Sequence, residues 1–136
     1  MIIFLDANII IYQVEAVAPF RDKVRAAITE ILVQNPGSRF AVSRLSVLEC
    51  LVKPVRDRNA PMIERYRSFF TTGDLNIAEI APLVIERALL LRADNGLRTP
   101  DAIQAASALT LPEPAIFVTG DSGFSRVSNL TTHIIS

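Results

Sequence analysis

Cysteine and histidine occur once each in this chain, and lysine only twice. The lone cysteine, Cys50, forms no internal disulfide and no zinc cluster, and reads as a small buried hydrophobe. The lone histidine, His133, lies in the C-terminal "THIIS" and leaves a Ser-His-Asp triad or a histidine metal site little to work with. There is no Gly-rich phosphate loop. No apolar run reaches the ~18 residues that span a bilayer. The opening "MIIFLD" carries neither a basic leader nor a cleavage site, so a cytoplasmic protein with no membrane partner is expected. Neither sign of charge dominates, since 14 basic residues balance 14 acidic ones. That balance argues against a strong non-specific nucleic-acid binder but leaves room for a basic face beside an acidic pit.

What is present is apolar and periodic. Half of the 136 residues are hydrophobic and 21% are charged, which describes a globular chain; the length suits one domain, taken as 1–136. "MIIFLD" reads as a buried parallel strand ending in Asp6, and "RFAVS", "LNIAEI", "AIFVTGD" and "THIIS" read as four more. Residues 19–34 read as an amphipathic helix, with Phe20, Val24, Ala27, Ile28, Ile31 and Leu32 at helical spacing. A helix capped by Ser43 is expected to stop near Pro54, another to start at Pro61, and a third to run from Pro82 to Gly96. The last helix spans about 99 to 110, with Thr99 as the expected cap. "ANIIIYQ" and "SGFSRV" read as turns or short helices. Strands alternating with helices predict a three-layer α/β/α domain with a five-stranded parallel sheet.

Four acids stand where acids are awkward. Asp6 and Asp121 end the first and fourth strands, and open α/β sheets bind ligands beyond such strand ends. Leu45, Leu48 and Val52 fall at i, i+3 and i+7 and are expected to form an inward stripe, with Glu49 on its edge. Asp101 opens the apolar helix "TPDAIQAASAL". Each has an ordinary explanation: Asp6 and Asp121 as caps, Asp101 as a first-turn acid, Glu49 as the partner of Arg44. Together they suggest one pit whose mutual repulsion needs a neutralising cation. An all-oxygen site suits Mg²⁺ or Mn²⁺, which activates water against a phosphoryl group without a protein nucleophile. Asn8 and Thr119, two residues from an acid, are candidates to hydrogen-bond the carboxylates; capping and strand-end satisfaction are the alternative.

"FLDANIIIY", "LSVLECL", "LRTPDAIQAASAL" and "FVTGDSGF", in that order, resemble the four motifs of PIN-domain proteins, specifically of VapC-type toxin ribonucleases. The resemblance runs the full length. It implies an acidic quartet of Asp6, Glu49, Asp101 and Asp121 binding Mg²⁺ or Mn²⁺. Asp6 and Asp101 would ligate directly, Glu49 would order a water or act as a base, and Asp121 would be the fourth ligand. It further implies RNA phosphodiester hydrolysis leaving a 5′-phosphate, a homodimer, and inhibition by a cognate antitoxin. The helix from Phe20 and the segment Met62 to Phe70 are candidate antitoxin surfaces, against burial of both faces in the monomer or homodimer.

Arg98 and Arg44 are candidate substrate contacts, as are Lys53, Arg56 and Arg58, with solvated surface charge the competing reading. Tyr12 and Phe124 are expected to pack in the core. Two other acid-at-strand-end enzymes fit less well. A dehalogenase-like phosphatase needs an acid where Asn8 stands, and a response-regulator receiver needs a late lysine where only Lys23 and Lys53 exist. An RNA-processing PIN nuclease that is not a toxin and a non-catalytic PIN-like scaffold remain as alternatives.

Overall fold

The computed structural model describes residues 1–136. Five strands form one parallel sheet: β1 (Ile2–Leu5), β2 (Arg39–Ser43), β3 (Leu75–Ala78), β4 (Ala115–Thr119) and β5 (Thr132–Ile134), in the order β3-β2-β1-β4-β5. Six helices intervene: α1 (Ala7–Val14), α2 (Phe20–Gln34), α3 (Arg44–Arg56), α4 (Ala60–Phe70), α5 (Pro82–Asn95) and α6 (Thr99–Leu109). Ser122–Arg126 is a short 3₁₀ turn.

The strand order follows from chain direction. The connections β1 to β2 to β3 step one way across the sheet. The connection from β3 returns to the far side of β1, where β4 pairs Leu5 with Val118. Right-handed crossovers that step in opposite directions place their helices on opposite faces. The two cores obey this: Ile3 and Leu5 pack with α1 to α4, whereas Ile2 and Phe4 pack with α5, α6 and the 3₁₀ turn. The reversal between β1 and β4 is the switch point of the sheet, and the residues after both strands end there.

Local chemistry accounts for most boundaries. Ser43 caps α3 through Leu45 N–H, Asn59 caps α4, and Gly96 ends α5 with φ 68°, a left-handed conformation that glycine adopts without penalty. Pro54 is taken into the last turn of α3, where it is buried and, lacking an N–H, makes no bond to the Cys50 carbonyl one turn earlier. On α2, Val24, Ala27 and Ile31 are buried, and Phe20, Ile28 and Leu32 flank them.

Two expectations are overturned. Thr99 does not cap α6; Arg98 occupies the cap position and Thr99 is the first helical residue, its hydroxyl taken by Arg92. The expected inward stripe of α3 is largely outward, with Leu48 63% and Val52 51% exposed. The buried face is Ser46, Cys50, Leu51 and Pro54. Hydrophobic spacing alone favoured the stripe, but the neighbouring faces of α6 and α1 supply polar as well as apolar partners, so Ser46 goes inward in place of Leu48. Glu49, three residues after Ser46, is carried toward α6.

Candidate acidic site at the sheet switch point

Asp6 leaves β1 and begins α1. Its Oδ1 accepts from Ala7 N at 2.8 Å, the capping role weighed from sequence, and its Oδ2 accepts from Thr119 Oγ1 at 2.7 Å. The same Thr119 hydroxyl accepts from Asp121 N at 3.1 Å, so one side chain ties together the ends of β1 and β4. Asn8 reinforces the join by accepting from Gly120 N at 3.2 Å. Asp121 caps the 3₁₀ turn through Gly123 N at 2.8 Å.

Asp6 is only 6% exposed, and its carboxyl is pushed up to about 6. Burial is the main cause; the Thr119 and Ala7 bonds oppose it, and the nearby Glu49 and Asp101 charges add to it. Two of the other expected acids, Glu49 and Asp101, therefore lie close enough to act on Asp6. Asp101 and Asp121 line one cleft of about 210 Å³, together with Arg98 and Arg126. The only base paired with any of the four is Arg98, at 3.4 Å from Asp101.

The acids are not a finished metal cage, since no three Asp, Glu, His or Cys groups converge on a common ion position. Asp6 is held at both oxygens, whereas each of the other three carboxylates is held by one end. Glu49 Oε1 accepts from Gln104, Asp101 Oδ2 from Arg98 and Asp121 Oδ1 from Gly123 N, and the second oxygen of each has no protein hydrogen bond. This donor set fits Mg²⁺ or Mn²⁺. Mg²⁺ characteristically takes one or two carboxylates and keeps several of its waters, so it needs no dedicated cage.

The other predicted residues separate clearly. Arg44 is not the partner of Glu49; it grips Glu79 with two hydrogen bonds, at 2.9 and 2.6 Å. That pairing holds the Glu79 carboxyl below its ordinary range. Tyr12 stacks on Phe20, and Phe124 is buried against Phe117 while also lining the cleft of Asp101 and Asp121. Cys50 is buried and its thiol is pushed up to about 12, chiefly by desolvation. Sequence reasoning missed Gln104, Ser46 and Arg126. For Gln104 a signal was present: a glutamine among the alanines of a buried helix requires a polar partner.

The PIN-domain family model matches residues 3–130. The chain belongs to the PIN-domain family. PIN domains are generally nucleases, and PIN nucleases typically use divalent metals. Among solved structures the chain resembles VapBC2 from Rickettsia felis bound to a promoter DNA fragment (20% identity, TM-score 0.76, all of both chains covered). It also resembles a toxin–antitoxin complex from Klebsiella pneumoniae (22%, TM-score 0.72, 97% of this chain and 98% of that one). A third likeness is to VapBC-1 from nontypeable Haemophilus influenzae (20%, TM-score 0.70, 98% of each chain). At such identities these likenesses speak for the PIN fold. A search of curated proteins found no match.

Proposed function

We propose that residues 1–136 form a single PIN domain that is a Mg²⁺- or Mn²⁺-dependent endoribonuclease, the VapC-type toxin of a toxin–antitoxin pair. The observation that carries this reading is the gathering of acids at the switch point, where Glu49 and Asp101 both act on buried Asp6 and the one base paired with any of the four is Arg98. Asp6 and Asp101 would hold the ion directly, with Asp121 as a further ligand. Such an ion supplies polarisation of a phosphoryl oxygen and an activated water. Glu49 would orient a water or take its proton. Thr119 holds Asp6, and Asn8 fixes the loop that carries Asp121. Arg98, largely exposed and lining the cleft, would exchange Asp101 for an RNA phosphate.

The three solved structures named above are VapBC or toxin–antitoxin assemblies, which supports an antitoxin partner here. A groove of about 450 Å³ includes Arg25 and Ile28 of α2 and Phe69 of α4, drawn from both segments expected to receive it. Homodimerisation is supported by the outward strip of Leu48, Val52 and Val55 on α3, which a second copy would cover.

Incubating the protein with total RNA in Mg²⁺, in Mn²⁺ and in EDTA, beside Asp101→Asn, tests the reading. Discrete metal-dependent cuts that vanish in the variant are expected. Mn²⁺ binding without cleavage would mean the wrong RNA or a retained inhibitor, whereas no Mn²⁺ binding would turn the reading toward a non-catalytic scaffold. An antitoxin reading frame next to the gene separates a toxin from an RNA-processing nuclease.

A further inference from the structure

Helix α6 is lined by buried alanines, Ala102, Ala105, Ala106 and Ala108, yet Gln104 sits among them only 1% exposed. Its Nε2 donates to Ser46 Oγ and to Glu49 Oε1, each at 2.9 Å. A carboxylate only accepts, so the amide nitrogen must face Glu49. That orientation leaves Gln104 Oε1 buried without any partner. An apolar side chain of similar length would avoid the cost of an unsatisfied buried acceptor. The amide therefore does something that packing does not require.

We infer that Gln104 is a positioning residue that reaches out of the core, pins one oxygen of Glu49, and presents the other to the metal pit. The inference rests on the metal-dependent reading above. Gln104 lies three residues after Asp101, one turn deeper on the same face of α6. One helix thus contributes an acid to the site and a donor that aims a second acid from α3. Glu49 has a long, rotatable side chain at the margin of the protein, and holding it in advance removes ordering that an ion would otherwise impose. The neighbouring Ser107 to Ser43 hydrogen bond also joins α6 to the β2–α3 junction, at 3.2 Å, but touches no acid. It serves as the internal control for simple helix docking.

The test is Mn²⁺ calorimetry on the whole protein with Gln104→Met, Glu49→Gln, the double variant and Ser107→Ala, alongside thermal melts. Gln104→Met is expected to weaken Mn²⁺ binding about 10–100-fold, as loss of a ligand-orienting partner does. In the Glu49→Gln background the same change should have little further effect, because Gln104 acts through Glu49. Ser107→Ala should lower the melting temperature and leave Mn²⁺ affinity alone. Unchanged affinity in Gln104→Met, or an equal loss in both backgrounds, overturns the inference. Should Gln104→Met fail to fold, Mg²⁺ titration of the wild type decides. Its Gln104 side-chain amide resonance moves if the inference holds and stays fixed if it does not. A wild type that binds no Mn²⁺ overturns the metal reading itself, and with it this role.

Discussion

The Thr119 hydroxyl donates to Asp6 Oδ2 at 2.7 Å while accepting from the backbone of Asp121 at 3.1 Å, joining two acids from adjacent strands that lie 115 positions apart in the chain. Because Asp6 is buried, this donor is one of two that stabilise its charge. Thr119→Val, nearly the same shape, should destabilise the fold by roughly 1–3 kcal/mol, the cost of leaving a buried acceptor unpaired. Thr119→Ser should restore most of it. Chemical denaturation of the three proteins at pH 8 measures both effects, and an unaltered Thr119→Val would remove the hydroxyl from the account.

The Asp6 carboxyl, pushed up to about 6, sets a pH dependence of the metal-free protein. Its ordinary value is 3.8, so between these limits the folded chain binds more protons than the unfolded one. Stability then falls as pH rises from about 4 to about 6, by about 3 kcal/mol at most. Asp6→Asn should flatten this contribution and raise the melting temperature in EDTA at pH 8. A melt series across this range in both proteins checks the sign.

Asp101→Asn should abolish RNA cleavage and leave the fold intact. It removes a ligand and a repulsive charge together, and the ion pair with Arg98 that it weakens is exposed on the arginine side, worth about 0–1 kcal/mol. Matching circular dichroism and melting curves, set against the loss of cleavage, would separate chemistry from folding.

Metal should stabilise the native state in a concentration-dependent way. At an ion concentration 100 times Kd the gain is about 2.7 kcal/mol. Adding Mn²⁺ to protein stripped with EDTA should therefore raise the melting temperature, with Asp101→Asn showing a much smaller rise. An equal rise in both would place the ion elsewhere.

Placing a charge on the outward strip of α3 should separate subunits without unfolding them. Leu48→Glu and Val52→Glu replace side chains that are already more than half exposed, so their effect on monomer stability should stay near ~0.5 kcal/mol. Light scattering should report a dimer for the wild type and a monomer for the double variant.

Much of the fold was legible because its signals are local. "MIIFL" and "AIFVT" are continuous apolar runs, as strands buried on both faces require, and Pro82 and Gly96 bracket α5 by backbone geometry alone. Misreadings came where a neighbour decides. The Leu45, Leu48 and Val52 spacing is sound helix periodicity, but which face turns inward depends on what the other helices offer. Arg44 is adjacent to the right segment, yet Glu79 at the end of β3 claims it.

The sequence by itself determined the alternation of strands and helices, the four acids and their order, and the caps that give Asp6 and Asp121 their places. These depend on residue type and on neighbours a few positions away. Only the tertiary structure decided that β4 lies beside β1, which brings Thr119 within reach of Asp6, and that α6 lies against α3, which lets Gln104 hold Glu49. Those contacts span 113 and 55 positions. Backbone pairing and side-chain packing fix them, and no local pattern encodes a distance of that kind.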